Sequence, residues 1–265
     1  MMSMKVRWAF WAMAGLLLCA QAQAQAQGQA QSPIRNVGVF SLLGDSVQVA
    51  SATDAPRDTR IERTPRETME FKDIGFDIIA GGVARKAIET RQPPTLFRVF
   101  RAPVLLTLDD QVLIADGAKR GELPDWMVRS IVTHKFTHVL LITRARGQTR
   151  IRTDEGHSIG RGTVEGIGFY LDTLYQLKND KTGAISNGLI APYAEMRVTL
   201  MDTDTAQVVA EHRLSEAYAL ASADNQVVAD PWNFLSAIEK VQVLREMVEK
   251  TLARGIAAVL PKTAP

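Results

Sequence analysis

The sequence predicts an α/β or α+β fold in which a mixed β-sheet is covered by helices. Short strand-like runs alternate with helical stretches in its first half, and an antiparallel hairpin follows late in the chain. A long amphipathic helix then closes the C-terminus. Because no repeat and no change of composition divides residues 34–261, we expect one domain, large enough to bury an ordinary core.

The chain begins with the features of a secretory signal peptide. Lys5 and Arg7 precede an apolar run over Trp8–Leu18, and small Ala residues alternate with Gln after it. This run is too short to cross a bilayer as a helix, so we expect residues 1–22 to be cleaved and 23–33 to form a flexible tether. The mature chain is then periplasmic or attached to the outer membrane, and it has no transmembrane helix.

Charge and cysteine content narrow the classes of function. The chain has 31 Lys and Arg against 29 Asp and Glu, and loss of Lys5 and Arg7 with the signal leaves 29 of each. A near-neutral protein is not typical of nucleic-acid binding, so no nucleic acid is expected as a partner. Cys19, the only cysteine, is either the acylated residue of a lipoprotein or part of the discarded peptide, and the leucines before it favour the second.

The first part of the domain is predicted to contain strands on either side of a helix. Asn36–Leu43 is apolar and ends at a turn, and Val47–Ala50 alternates like a second strand paired back on the first. A loop over 53–68 leads to a helix over Asp73–Thr90, whose apolar residues have helical spacing. Leu96–Arg101 is the next predicted strand.

The middle of the chain gives a weaker signal followed by a strong one. No clear pattern covers 102–121, whereas a short helix is predicted over 124–134. Thr137–Ala145 is apolar on both faces and is typical of a central strand. Arg146–Gln148 is expected to turn the chain into a further strand over Thr149–Thr153.

The last third predicts a hairpin and the closing helix. Ala194–Met201 and Val208–Leu214 alternate apolar and polar residues around an Asp- and Thr-rich turn. Asp230 and Pro231 are expected to begin the helix. Its apolar stripe consists of Phe234, Ile238, Val241, Leu244, Val248, Leu252, Ile256 and Val259.

One short motif suggests an enzyme. Residues 44–47 read Gly-Asp-Ser-Val directly after a predicted buried strand, and Asp154 precedes His157 by three residues. These two words resemble the SGNH, or GDSL, family of hydrolases. The resemblance implies a serine esterase with Ser46 as the nucleophile, His157 as the general base and Asp154 as its orienting carboxylate. The alternative is a turn in which Asp45 and Ser46 cap backbone groups, and we favour it because no oxyanion-hole motif accompanies the serine.

Four arginines suggest a binding surface. Arg144, Arg146, Arg150 and Arg152 have even spacing around one turn, so paired strands would display them on a shared face. Guanidinium groups together bind phosphate or carboxylate. The alternative is a solvated face balanced by neighbouring carboxylates.

Neither a metal site nor a cofactor site is predicted. His134 and His138 are four apart, but a helix-to-strand break falls between them, so they do not share a helical face. The glycines at 160 and 162 are followed by a strand pattern, whereas a dinucleotide loop must open a helix. We therefore expect structural roles for these residues.

The segment from Glu165 to Leu177 allows a further interpretation. Its alternation and the polar turn over 178–188 would suit one arm of an oligomeric barrel in the outer membrane. Such a protein would be a membrane-inserted secretion component. The alternative is a strand whose apolar face covers the sheet of the same domain.

The order of elements resembles small envelope proteins of Gram-negative bacteria. The export signal, the early Val-Gly-Val-Phe strand at 37–40, the late hairpin and the closing helix are similar to the amino-terminal domain of the Tol-system translocation protein and to lipoproteins of the curli-secretion type. This resemblance implies an adaptor or assembly role. The leading hypothesis is thus a non-catalytic binding or assembly protein of the cell envelope, whose partner is an envelope protein or an anionic envelope component.

Overall fold

The computed structural model describes residues 34–52, 66–70, 75–91, 95–152, 158–160, 162–178, 183, 185–220 and 230–261. The predicted signal peptide and tether lie outside these ranges. The strands, in chain order, are β1 (Asn36–Ser41), β2 (Ser46–Ser51), β3 (Arg66–Glu70), β4 (Leu96–Arg101), β5 (His138–Arg144), β6 (Arg146–Gln148), β7 (Ile151–Arg152), β8 (Ser158–Ile159), β9 (Thr163–Glu165), β10 (Ile167–Lys178), β11 (Ile185–Asp202) and β12 (Gln207–Ala217). The helices are α1 (Phe76–Arg91), α2 (Leu108–Ala118), α3 (Asp125–His134) and α4 (Ala237–Val259), with a 3-10 turn at Pro231–Phe234.

Eight of these strands form one mixed sheet, which confirms the predicted fold class. Two strands lie end to end along one side of β11: β10 pairs with its first half and β5 with its second half. β12 pairs along the other side of β11. β1 runs parallel to β5, and β2 runs parallel to β10, with β4 and β3 as the outer strands beside them.

The predicted pairing of the second strand with the first is wrong. β2 does not fold back on β1 but pairs with β10 and β3. The Leu42 backbone N–H donates to the carbonyl of Ile142 at 2.9 Å, and Gly44 then takes a φ of 62°. The chain thereby crosses to the other half of the sheet instead of reversing, and Gly44 supplies the left-handed conformation of this crossing.

The main core lies between one face of the sheet and the helices α1 and α4. Phe76, Ala80, Ala84 and Ile88 repeat every four residues along α1 and are fully buried, which confirms the helix predicted there. A Cβ on Gly81 would come within 3.0 Å of the Val99 side chain, so close packing against β4 accounts for a glycine inside this helix.

The opposite face carries α2 and α3 over its β1 and β5 half. Phe40, Val139 and Leu141 form a second apolar cluster with Met127 of α3. The helix α2 falls where the sequence shows no clear periodicity. Its first turn is nevertheless marked by a capping box between Thr107 and Asp110.

The closing helix starts later than predicted. Asp230 caps the short 3-10 turn, whereas Ser236 caps α4 through a capping box with Glu239. The predicted apolar stripe is otherwise buried from Leu244 to Val259, while Ile238 stays exposed. Among the described residues, no helix combines the length and apolarity that crossing a bilayer requires.

Candidate functional site: a hairpin arm beside buried polar residues

A hairpin leaves the sheet where β5 and β10 meet. The Ala145 backbone N–H donates to the Glu195 carbonyl at 2.9 Å, and the Gly166 N–H donates to the Ala145 carbonyl at 2.9 Å. The Glu195 N–H in turn donates to the Gly166 carbonyl at 2.6 Å. These bonds join the strands of the sheet on either side of this hairpin. Its described residues, 146–152, 158–160 and 162–165, therefore form a separate unit that we call the hairpin arm.

The hairpin arm is made of two short antiparallel ladders. β6 pairs with β9, and β7 pairs with β8, while residues 153–157 and 161 lie outside the described ranges. The prediction that Arg146–Gln148 forms a turn is therefore wrong, since this segment is β6. Ile151 and Val164 are buried against Ala50 and Tyr170 on the sheet face opposite α1 and α4. The arm thus covers the half of that face that α2 and α3 leave uncovered.

Three of the four predicted arginines belong to the hairpin arm. The Arg146 guanidinium lies 2.9 Å from the Glu165 carboxylate and 2.5 Å from that of Asp109, so two acidic groups balance its charge. Arg150 is exposed, and its guanidinium donates to the Gln148 side-chain oxygen at 3.3 Å. Arg152 is exposed as well. All three arginines of the arm are therefore exposed, and Arg146 is the one whose charge two carboxylates balance.

Arg144 lies apart from the other three. It ends β5 and is only 5% exposed; Nη1 donates to the Ser46 hydroxyl at 2.9 Å, and Nη2 donates to the Ser46 carbonyl at 2.6 Å. Burial lowers the pKa of Arg144 to about 10, against the opposing effect of Asp77. The shared exposed face that the even spacing predicts therefore does not include Arg144.

The surroundings of Ser46 differ from those of an activated serine. Its hydroxyl accepts a hydrogen bond from a guanidinium, and a guanidinium is a donor that cannot take a proton from a nucleophile. Asp77 lies nearby but accepts bonds from Ser41 and from the Leu43 and Gly44 backbone amides. Asp154 and His157 lie outside the described residues, so the hydrolase triad stays a prediction.

A buried carboxyl beneath the hairpin arm was not anticipated from the sequence. Glu195 is 6% exposed, and the Ser215 hydroxyl donates to it at 2.5 Å. Burial raises the pKa of Glu195 to about 7, while the Ser215 bond and the charge of Arg213 act in the opposite direction. A Cβ on Gly147 of the arm would lie 2.3 Å from this carboxyl, so the carboxyl would have to move to accommodate it. Glu195 is therefore part of the contact between the sheet and the arm.

The two histidines considered as metal ligands are separated. His134 ends α3, where its ring packs against those of Phe100 and Phe136, and His138 is buried in β5. The His138 ring lies 3.9 Å from the Asp202 carboxylate, and burial lowers its pKa. Within the described ranges, no three His, Cys, Asp or Glu side chains come together as metal ligands would.

Comparison with known proteins gives weak likenesses to solved structures. No family model and no curated protein matches the chain. The PelC dodecamer from Paraburkholderia phytofirmans shares 11% identity at a TM-score of 0.31, with 89% of this chain and 96% of that chain covered. A DUF330 family protein from Xanthomonas campestris shares 14% identity at a TM-score of 0.29, with 85% of this chain and 88% of that chain covered. A neuraminyllactose-binding hemagglutinin homolog from Helicobacter pylori shares 7% identity at a TM-score of 0.35, with 89% of this chain and 89% of that chain covered. These matches assign no family.

Proposed function

We propose that the chain is an exported, non-catalytic binding or assembly protein of the bacterial envelope, either periplasmic or attached to the outer membrane. The hairpin arm carries this proposal: it is held to the sheet by its own hydrogen bonds and apolar contacts, and it displays Arg150 and Arg152 on its exposed side. The predicted signal peptide supplies the route to the envelope. The partner is an envelope protein or an anionic envelope component.

The chemistry of the arm supports recognition of anionic groups. Two guanidinium groups a short distance apart along one chain can each form paired hydrogen bonds with a carboxylate or a phosphate. Arg146 contributes less to such binding because Asp109 and Glu165 already occupy its donors. The contact is therefore assigned to Arg150 and Arg152.

The arginines are tested by in-cell crosslinking of tagged protein, followed by fractionation and mass spectrometry of the captured partners. The wild-type protein should reproducibly capture an envelope component, and the Arg150→Gln/Arg152→Gln double variant should lose roughly tenfold or more of that capture. Arg129→Gln, at an exposed position of α3, is the matched control and should behave as wild type. If the double variant captured as much partner as wild type, the two arginines of the arm would not be part of the contact surface.

Two further results would overturn the proposal as a whole. A wild-type chain that stays in the cytoplasm, or that is a periplasmic monomer capturing nothing, would contradict a binding role in the envelope. Labelling of Ser46 by a fluorophosphonate, lost in Ser46→Ala, would show a serine hydrolase instead.

A further inference from the structure

The outer edge of β12 is longer than those of the other outer strands. β12 has 11 residues whose ladder partners in the described part of the chain lie on β11, while β7 of the hairpin arm bridges the same outer edge at Tyr218, directly after β12. The other outer strands, β3 and β4, have 5 and 6 residues. Alternate N–H and C=O groups of an edge strand point away from the sheet and are able to pair with another strand. Within the described residues, no strand pairs with the outer edge of Gln207–Ala217, so this edge is available to a strand of another chain.

The centre of this edge carries opposite charges on either side of a histidine. Glu211 and Arg213 are two residues apart, so their side chains lie on the same face of the sheet. His212 and Arg213 are exposed, and the Glu211 carboxylate lies 3.1 Å from Lys119. The ladder with β11 shifts register between Val208 and Ala210, so the regular part of the edge runs from Ala210 to Ala217.

We propose that two copies of this chain associate through antiparallel pairing of their β12 strands, about a twofold axis at His212. In this register Glu211 of each copy lies opposite Arg213 of the other, twice in the interface. Opposite charges directly across an antiparallel pair stabilise it, and like charges destabilise it. An axis at Glu211 would place the two Glu211 side chains opposite each other, and an axis at Arg213 would do the same for the two Arg213 side chains. Like charges would then meet, so charge favours the axis at His212. A twofold contact of this kind is closed and stops at a dimer.

This inference rests on β12 alone and does not depend on the function proposed for the hairpin arm. The pairing extends the sheet from one copy into the next. Backbone hydrogen bonds provide the affinity, and the pairs of Glu211 with Arg213 set the register. An extended peptide of another protein could occupy the same edge, and the experiment below separates that case.

The test is sedimentation equilibrium of the mature chain at moderate salt, because exposed ion pairs weaken as salt rises. The wild-type chain should form a dimer. Arg213→Glu and Glu211→Arg should each associate about tenfold more weakly or worse, since each places like charges across the interface. An equimolar mixture of the two variants should regain wild-type association, because both cross-strand pairs are then of opposite charge. Arg98→Glu, at an exposed position of β4, is the control and should dimerise as wild type does.

Each other outcome contradicts the proposal. A wild-type chain that is monomeric up to about 100 µM, with or without a captured peptide, would exclude the dimer. Unchanged dimers of both variants would place the interface elsewhere, and a mixture as weak as its components would exclude this register. Circular dichroism verifies that the variants are folded. Glu211→Arg also loses the contact with Lys119 and could unfold for that reason. In that case Arg213→Glu is tested by itself, and association as strong as that of wild type would refute the pairing.

Discussion

At the scale of single residues, Glu195 couples the stability of the fold to pH. Its carboxyl has a pKa of about 7 in the folded chain and an ordinary value of 4.5, so the folded state binds more protons than the unfolded state between these values. Stability therefore falls as pH rises from about 4.5 to about 7, and this contribution does not fall further above that window. A shift of this size corresponds to on the order of 3 kcal/mol.

Glu195→Gln should remove this dependence. The amide keeps an oxygen that accepts a hydrogen bond from Ser215, but it cannot ionise. The free energy of unfolding of the variant should therefore equal that of wild type near pH 4 and exceed it by on the order of 3 kcal/mol near pH 8. Urea unfolding at several pH values measures the difference. Glu249→Gln, at an exposed position of α4, should change stability by less than about 0.5 kcal/mol throughout. A difference for Glu195→Gln that is constant with pH would show that ionisation of this carboxyl is not responsible.

Residue-level patterns gave the positions of candidate groups but not their surroundings. The even spacing of the arginines is real, yet Arg144 is the last residue of a strand buried along its whole length, while Arg146 begins the hairpin arm. Alternation assigns side chains to faces, but it does not say that both faces of β5 and β11 are covered. For the same reason the alternation along Ala194–Met201 does not predict that Glu195 is buried.

At the scale of elements, the start of α4 depends on its capping box. The Ser236 side chain accepts from the Glu239 backbone N–H at 3.3 Å, and the Glu239 carboxylate accepts from the Ser236 N–H at 2.7 Å. This helix supplies Leu244, Val248 and Leu252 to the main core. Fraying of its first turn therefore weakens a helix that packs on β11 and β12.

Ser236→Ala should destabilise the chain by about 1 kcal/mol, the usual effect of losing an N-cap side chain. Ser236→Asp restores an acceptor beside the positive end of the helix dipole and should recover most of that loss. Thermal unfolding of the three chains provides the comparison. If alanine and aspartate gave equal losses, capping would not be the cause.

Elements with a strong period could be predicted from the sequence, but of the strand pairings discussed only that of the late hairpin could. α1, β4, α3, β5 and β12 lie close to where periodicity places them, whereas β11 begins at Ile185 and not at Ala194. No hydrophobic period predicts the helix α2, although the sequence contains the capping box of Thr107 and Asp110 at its start. The pairing of β2 was wrong because a period of two identifies a strand without identifying its neighbour.

At the scale of the whole molecule, the topology divides the chain into a central sheet and an attached arm. Met196–Leu200 of β11 pair with β5 on one side and with β12 on the other, beneath α1 and α4. The hairpin arm makes short ladders of two or three residue pairs, and it contacts the sheet through one apolar cluster and a few backbone hydrogen bonds such as that from Ala219 to Arg152. Opening the arm breaks few of the contacts that hold the sheet, so the two should open independently.

Backbone amide exchange measured by mass spectrometry tests this independence. Amides of Met196–Leu200 should exchange only through global unfolding, because ladders on both sides protect the strand, whereas amides of β6 and β9 should exchange faster through local opening. Ile151→Ala, which removes a buried contact of the arm, should speed exchange in β6 and β9 and leave β11 unchanged. If Ile151→Ala accelerated β11 as much as the arm, the two would unfold as one unit. Independent opening would mean that the arm can adjust to a partner at little cost to the sheet that holds it.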